Sequence, residues 1–335
     1  MNTSSSLLVF AALSTLGCGR DGRAAPAPSA PAPSASVPSA SASSAAAPSA
    51  PPSVTAAAST VTAPLAAPIV DAGAASLDAG ARSPDDCPEG MARIGRYCID
   101  RWEAHLVVRA ATGEITALPF FARPPDDGAY EARSEPGAYP QGYISRVESQ
   151  RACKRAGKRL CSKAEWQRAC WGRRGGHYPY GAKWKADQCN MDKPHLLSRR
   201  FGADSRKWKY EQFNDPTLNQ EPGFLAQTGS LDTCQSDSGV YDLVGNLHEW
   251  VSDTVDEELM EKLDAENVER KTQGWRPGNG VFMGGFFSTH EQLGPGCRYT
   301  TVAHEPSYHD YSTGFRCCAS LPPAPKKPKA RPKKG

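Results

Sequence analysis

Two carboxylates flank a turn in the stretch YDLVGNLHEWVSD. Asp242 and Glu249 lie seven residues apart, and Gly245 and Asn246 between them interrupt any regular helix or strand pattern. Glycine allows the positive φ angles that a sharp turn needs. Hard cations prefer oxygen ligands, so carboxylates around such a turn suit a cation-binding loop. The residues alone leave two interpretations open: a cation-binding loop, or a tight turn that places Trp250 in the core.

Sulfur is the second chemical signal. The chain has eleven cysteines, and all except Cys18 lie between residues 87 and 318. The ten cysteines other than Cys18 are an even number, which in an exported protein favours up to five disulfides. Each disulfide typically contributes about 2–4 kcal/mol to stability. Cys87 and Cys98 enclose a turn-like segment and are expected to pair, whereas spacing leaves the other pairs open. No Cys/His spacing of the zinc type occurs.

The N-terminus predicts export. Residues 1–18 read as a signal peptide whose apolar core ends just before Cys18, as at a bacterial lipoprotein cleavage site. Lipidation of Cys18 is favoured over an ordinary signal peptide because a long spacer follows it. Residues 19–86 are mostly Ala, Pro and Ser, which predicts a disordered tether with a reach of roughly 200 Å. We therefore expect a bacterial envelope lipoprotein, periplasmic or surface-exposed, or a secreted protein.

Charge is concentrated at the other end. Residues 321–335 form a basic tail with six Lys or Arg residues, while the whole chain has a net charge of +3. The rest of the chain is therefore slightly acidic, which argues against nucleic acid as a partner. The tail is expected to be a solvated end, or else to attract anionic envelope polymers or lipid. Residues 87–320 remain as one domain with no apolar run long enough to span a bilayer.

The elements that position these residues predict an α+β domain. The segment CPEGMARIGRYCIDRWE alternates like a hairpin, and residues 111–142 read as loops. Ser145 with Glu148, and Ser162 with Glu165, form two capping boxes that predict two helices. After residue 171 helix signals fade, and GVFMGGFFST and STGFRCCAS read as buried strands. We expect an unusually loop-rich domain that needs disulfides or ions to hold it.

Five stretches in order carry a family resemblance: AGKRLCSKAEWQRACWG, YPYG, GVYDLVGNLHEWVSD, the Gly pair at 284–285, and GFRC. Together they resemble the formylglycine-generating enzyme, or sulfatase-modifying factor, domain. The resemblance covers roughly residues 87 to 320 and implies a C-type-lectin-like fold.

The resemblance implies structural calcium. One site would take the side chains of Asp242 and Glu249 with the carbonyl groups of Gly245 and Leu247. His248 is expected to pack against this loop. A second site would use the ligands Asn190, Met191 and Phe224; its carboxylate position falls on Pro222, and Glu221 is the candidate substitute.

The resemblance also implies disulfides. Two family bridges match Cys153–Cys317 and Cys170–Cys297. Completing the set would add Cys189–Cys234 and Cys161–Cys318, although the adjacent Cys317 and Cys318 could exchange partners.

The catalytic centre of the family departs most from this sequence. The enzyme oxidises a substrate cysteine with oxygen, using two cysteines that bind Cu(I), for which thiolates are suitable ligands. The corresponding positions fall near Thr289 and Gly294, so the copper site is missing. His290, His304 and His309, with nearby Glu291, Glu305 and Asp310, could instead hold iron or copper.

Three functions follow. The first is a binding or structural module, stabilised by calcium and displayed on a lipid anchor, for an envelope protein, peptide or glycan. The second is an enzyme that uses oxygen and a non-cysteine metal site on an envelope peptide or protein. The third is a divergent formylglycine-generating enzyme.

Overall fold

The expected hairpin opens the folded domain. Strand β1 (Met91–Ile94) pairs antiparallel with β2 (Tyr97–Asp100), and Gly95 adopts a φ of 61° in the turn between them. That left-handed conformation costs a glycine little, which is why the chain can reverse in two residues.

The computed structural model describes residues 87–266, 274–290 and 296–322. The predicted signal peptide, the lipidation at Cys18, the tether and the basic tail beyond residue 322 lie outside the described residues, as do Glu291 and Gly294. All described residues belong to one compact unit of the chain, Ala75–Gly335. Among them, no helix has the length and hydropathy needed to cross a bilayer.

The described residues form short helices and strands separated by long connections. The α-helices are α1 (Arg146–Arg155), α2 (Lys163–Trp171), α3 (Leu196–Phe201), α4 (Tyr210–Phe213) and α5 (Glu257–Ala265). Short 3-10 helices span Ser205–Lys207 and Gly296–Arg298. The strands after β2 are β3 (His105–Arg109), β4 (Ile115–Ala117), β5 (Glu131–Arg133), β6 (Arg159–Leu160), β7 (His248–Thr254), β8 (Gly280–Met283), β9 (Thr300–Thr301), β10 (Thr313–Phe315) and β11 (Cys317–Ser320). The α+β prediction is confirmed.

The strands make three small sheets. Their orders are β1-β2-β11-β6, β10-β7-β8-β9 and β4-β3-β5. Strand β10 runs parallel to β7 and pairs Gly314 with Glu249, whereas β11 joins the hairpin and pairs Cys318 with Ile99. The C-terminal segment therefore ties two sheets together, and Arg316 is the residue between the two strands.

Both predicted capping boxes are present. Ser145 and Ser162 accept hydrogen bonds from the backbone N–H of Glu148 and Glu165, whose side chains bond back to the cap residues. Each box satisfies two backbone donors that a helix start leaves unpaired. The two helices accordingly begin at the predicted residues.

Three expectations about elements were wrong. The region 111–142 contains the strands β4 and β5. Helices α3, α4 and α5 all lie beyond residue 171, where helix signals had faded. Asp256 caps α5, whose buried side chains are Leu259, Met260 and Leu263. STGFRCCAS forms two strands in different sheets rather than one.

Five disulfides crosslink the domain, and they are the pairs named above. They join Cys87 to Cys98, Cys153 to Cys317, Cys161 to Cys318, Cys170 to Cys297, and Cys189 to Cys234. Two adjacent bridges fix β11 to the region of α1 and β6. The disulfide-stapled, loop-rich character of the fold is thus established.

Two tryptophans anchor the core. Trp250 on β7 donates a hydrogen bond to the Ile144 carbonyl at 2.9 Å and meets the Phe282 ring edge-on. A Cβ atom on Gly280 would lie 2.7 Å from the Trp250 ring, so glycine is required where β8 crosses it. Trp166 on α2 is completely buried. Truncating either ring to alanine would cost about 3–5 kcal/mol.

Candidate functional site

The loop before β7 is a tight left-handed turn. Asp242, Gly245 and Asn246 have φ angles of 56°, 79° and 57°. A Cβ at Gly245 would approach the Asn190 carbonyl oxygen to 2.2 Å, so a larger residue does not fit there. The turn brings the backbone of this loop directly against the segment that contains Asn190.

The buried Glu103 accepts hydrogen bonds from this loop, and it was not predicted from the sequence. Its carboxylate accepts hydrogen bonds from the Asn246 side chain at 2.6 Å and from the Leu247 N–H at 3.2 Å. The Asn246 side-chain oxygen in turn accepts from the Ala226 N–H at 2.9 Å. Burial first, and then Asp242 and Glu249 nearby, raise the pKa of Glu103 well above its usual range.

Glu249 is held by a buried arginine. Arg316 donates from Nε to Oε2 and from Nη2 to Oε1 of Glu249, each at 2.6 Å, and Trp166 donates to Oε2 at 2.7 Å. The guanidinium also reaches the carbonyl oxygens of Asp100 at 3.0 Å and Tyr241 at 2.8 Å. Burial opposes the charge of Arg316, yet Glu249 beside it holds the Arg316 pKa above its ordinary value.

The charges of this loop suit a divalent cation. Glu103, Asp242 and Glu249 are at most 5% exposed and face one guanidinium, so their fully ionised form has two excess negative charges. Asp242 accepts a hydrogen bond from the Gly229 N–H at 2.7 Å, and burial raises its pKa to about 6. Within the described residues, Oε1 of Glu249 accepts from Arg316 alone and keeps one acceptor position.

These residues fit the first predicted calcium site by charge and donor type. Asp242, Oε1 of Glu249 and the carbonyl groups of Gly245 and Leu247 would hold the ion. Calcium would neutralise the excess charge and satisfy hard oxygens together. In the described ranges, however, no three His, Cys, Asp or Glu side chains already converge as a metal site.

The second predicted calcium site does not fit. The Phe224 carbonyl oxygen accepts from the Asn190 side-chain nitrogen at 2.9 Å and from Lys193 Nζ at 2.8 Å. Glu221, expected as the substitute carboxylate, instead pairs with Arg200 at 2.8 Å. An ammonium group occupies one of the expected ligands, and the carboxylate is directed elsewhere.

The catalytic histidines proposed from the sequence do not converge. His290 pairs with Asp192, and His309 bonds to the Asn214 side chain at 2.8 Å. His304 stacks instead on Tyr308, with ring centroids 3.9 Å apart. Each of the three histidines therefore has its own local partner.

An aromatic cleft of about 540 Å³ lies beside β7 and β8. Its lining combines three histidines with phenylalanine and tyrosine rings: His195, His248, His304, Phe213, Phe282, Phe286, Tyr210, Tyr299, Tyr308 and Tyr311. His248 points into this cleft, where it packs against Phe282, Phe286 and Tyr299. Its expected packing against the carboxylate loop was wrong, because β7 alternates and directs His248 to the face opposite Glu249.

The histidines that line the cleft are neutral near pH 7. Burial lowers the pKa of His248 to about 3, that of His304 to about 4, and that of His195 below its usual value. The one buried acid in the lining, Asp310, accepts from the Tyr308 hydroxyl at 2.5 Å and the Ser312 N–H at 2.8 Å. The described lining therefore offers no cationic imidazole to an anionic ligand, and the oxygens of Asp310 already accept hydrogen bonds from neighbouring residues.

Three buried polar atoms in the cleft have no protein partner among the described residues. They are Nδ1 of His195, Nδ1 of His248 and the hydroxyl of Tyr311. His248 and Tyr311 are only 5% and 1% exposed. Leaving such a group without a hydrogen bond costs about 1–3 kcal/mol, so a bound molecule that supplies partners would gain affinity.

The cleft adjoins the expected copper position. Burial raises the pKa of the Tyr299 phenol against the hydrogen bonds that it makes with Thr289 and Thr301. Thr289 also accepts from the Phe286 N–H at 2.9 Å. A threonine therefore stands where the resemblance places a copper thiolate, next to two residues that line the cleft.

Comparison with known proteins gives a family and a set of remote structural neighbours. The sequence model of the sulfatase-modifying factor enzyme 1-like domain matches residues 110–321. No curated protein matches the chain. PvdO from Pseudomonas aeruginosa is 16% identical, with a TM-score of 0.39, over 72% of this chain and 87% of its own.

Two further solved structures match this chain over a smaller share of their own length. The I1 variant of the Major Tropism Determinant is 12% identical with a TM-score of 0.37, over 70% of this chain and 53% of its own. Treponema denticola variable protein 1 is 14% identical with a TM-score of 0.27, over 66% of this chain and 63% of its own. The matched region thus spans little more than half of these two proteins.

Proposed function

Since the chain belongs to the family of the sulfatase-modifying factor enzyme 1-like domain, we propose that it uses this fold as a binding module and not for thiol chemistry. One observation carries the proposal. All ten cysteines of the described domain are joined in disulfides, and the expected copper positions fall near Thr289 and Gly294, where the chain has no cysteine. No thiolate remains there to bind Cu(I) or to be exchanged with a substrate cysteine.

A peptide assay tests this exclusion. The full chain is incubated with Cu(I), oxygen and a cysteine-containing peptide, and the peptide is analysed by mass spectrometry. We expect no formylglycine above the level of a peptide-only control. Conversion that requires the protein would overturn the proposal.

The aromatic cleft is the proposed binding site, and its chemistry selects a neutral ligand with ring faces. Flat apolar rings pack against C–H surfaces, while the lining side chains His195, His248 and Tyr311 each carry a buried polar atom without a protein partner among the described residues. Because the imidazoles of the lining are neutral near pH 7, an anionic ligand would lose hydration without a counter-charge. A neutral envelope glycan fits best, and a neutral peptide is the other outcome that a test must distinguish.

Calorimetric titration of the full chain with neutral oligosaccharides and neutral peptides tests the cleft. Tyr311→Phe removes one unpaired hydroxyl and is expected to weaken binding about tenfold, as a lost hydrogen bond would. Tyr97→Phe is the matched control, because the Tyr97 hydroxyl bonds to the Glu165 carbonyl away from the cleft. Equal affinity of Tyr311→Phe and wild type, or no binding by either panel, would contradict this assignment.

Calcium at the first loop is proposed as the structural ion of the module. The substitution Asp242→Asn should change the Tm in opposite directions in a calcium-bound and in a metal-free domain. With calcium bound, the substitution removes a ligand charge and lowers the Tm; in a metal-free domain it removes excess buried charge and raises the Tm. We expect a lower Tm in calcium, and a smaller effect of chelator on the variant than on wild type. A raised Tm in calcium would refute the site.

The module is proposed to act in the bacterial cell envelope. The predicted lipid on Cys18 and the spacer of residues 19–86 would hold the cleft away from the membrane surface. Fractionation of cells expressing wild type or Cys18→Ser tests the anchor. Wild type should sediment with membranes, and the variant should be soluble; identical behaviour would argue against lipidation.

A second candidate function rests on the neutral imidazoles of the cleft. Neutral His195, His248 and His304 are in the protonation state that binds iron or copper, although among the described residues no three such side chains converge on one point. Metal analysis of the full chain after exposure to Fe(II) or Cu(II) decides between the candidates. Stoichiometric metal that is lost in His248→Gln would favour an oxygen-using enzyme acting on an envelope peptide or protein, whereas calcium alone favours the binding module.

A further inference from the structure

A lysine stands at the place where the second structural calcium was expected. Lys193 Nζ lies 2.5 Å from the Gly223 carbonyl oxygen and 2.8 Å from the Phe224 carbonyl oxygen. The same ammonium lies 6.0 Å from the centre of the Phe224 ring, which adds a cation–π contact. The side chain thus supplies a cation at two backbone oxygens of one loop.

The oxygen at the centre of this arrangement has no capacity left for a metal ion. A carbonyl oxygen has two lone pairs, and that of Phe224 already accepts from Asn190 and from Lys193. Asn190 presents its NH₂ group there and bonds to the Asn246 side chain at 2.7 Å through the same nitrogen. Calcium would meet hydrogen-bond donors where it requires oxygens.

The charges near Lys193 also argue against a calcium ion at this position. Pro222 occupies the expected carboxylate position, and Glu221 is engaged by Arg200. Calcium sites normally contain carboxylate, because the ion has two charges to neutralise. An ammonium has one charge and is satisfied by carbonyl oxygens, so it needs no acid beside it.

We propose that the Lys193 ammonium is a built-in replacement for a structural calcium ion, so that this half of the domain is independent of calcium. Lys193 connects neighbouring segments by hydrogen bonds, as a structural ion would. Its own N–H bonds to the Phe287 carbonyl at 2.9 Å, and the Asn190 carbonyl accepts from the Asn246 N–H at 2.7 Å. Lys193 therefore fastens the loop at Gly223 to the segments that bear the carboxylate turn and the cleft.

Thermal unfolding of the full chain tests the structural part of the proposal. Lys193→Met keeps the side-chain length and removes the ammonium; the Tm is expected to fall by about 3–8 °C. Lys183→Met is the control, since Lys183 is an exposed lysine of the same region, and it should change the Tm by no more than about 1 °C. A Lys193→Met variant as stable as wild type would overturn the proposal.

Calcium stoichiometry tests the replacement itself. Bound calcium is measured by elemental analysis after dialysis for wild type and for Lys193→Met combined with Pro222→Asp, which restores a carboxylate. We expect the combined variant to bind one more calcium ion per chain than wild type and to gain Tm on calcium addition. A wild-type chain with two calcium ions, or a folded combined variant with no additional ion, would refute the proposal. Because the comparison is a difference, it holds whether or not the first loop binds calcium.

Discussion

Replacing Arg316 should cause one of the largest losses of stability in this domain. The guanidinium is completely buried, and its bonds to Glu249 measure 2.6 Å at both nitrogens. Removing one partner of a buried ion pair leaves an unpaired charge and costs about 3–5 kcal/mol. For a domain of this size, the Tm should fall by roughly 8–16 °C in Arg316→Met.

Arg316→Lys should be nearly as harmful, because an ammonium cannot reproduce the two-pronged bond to Glu249 while also reaching the carbonyls of Asp100 and Tyr241. Urea unfolding at pH 7 measures both losses. Arg109→Met is the control: Arg109 pairs with Glu131 at 2.7 Å but is 52% exposed, so its loss should cost less than about 1 kcal/mol.

A double-mutant cycle separates the ion pair from the rest of the site. Glu249→Leu combined with Arg316→Met should cost less than the sum of the single changes, since the combined variant buries no unpaired member of this pair. If Arg316→Met were no more harmful than Arg109→Met, the assignment of Arg316 and Glu249 as a buried ion pair essential to stability would be refuted.

Two further predictions concern pH and disulfides. His304 has a folded pKa of about 4, below its unfolded value of about 6.5. The unfolded chain therefore takes up a proton first as the pH falls, and wild type should lose about 2 kcal/mol relative to His304→Gln between pH 7 and pH 5 in urea titrations; parallel pH profiles would contradict this. Replacing Cys153 and Cys317 by alanine should cost only about 2.5 kcal/mol, because Cys161–Cys318 still closes nearly the same loop. Removing both bridges should cost more than the two separate losses together, as measured by unfolding in urea; simple additivity would show that the bridges act independently.

Local signals in the sequence predicted the elements that depend on neighbouring residues. The capping boxes at Ser145 and Ser162 place two helix starts correctly because cap and partner are three residues apart. The hairpin at Gly95 follows the same logic. By contrast, α5 was missed although Asp256 caps it and Leu259, Met260 and Leu263 recur at helical spacing; a helix of nine residues depends on tertiary packing for its stability.

The candidate site divides in the same way. The turn at Gly245 and the burial of Trp250 were accessible from one stretch of sequence. Glu103 and Arg316 were not, because they reach the loop from 143 and 67 residues away along the chain. The cleft was missed for a related reason: His248 is adjacent to Glu249, but strand alternation sends the two side chains to opposite faces.

The two proposals about cations differ in the number of buried carboxylates at each position. At the first loop Glu103, Asp242 and Glu249 lie near one arginine, so in their ionised form they would leave negative charge that the proposed calcium ion would neutralise. At the second place the carboxylate is absent, and the neutral carbonyl oxygens of Gly223 and Phe224 suit a single ammonium. Introducing an acid at the second position should therefore increase calcium binding there, whereas removing an acid from the first loop should decrease it. The same fold can then exchange metal ions for side-chain cations one site at a time, provided that the number of buried carboxylates changes with them.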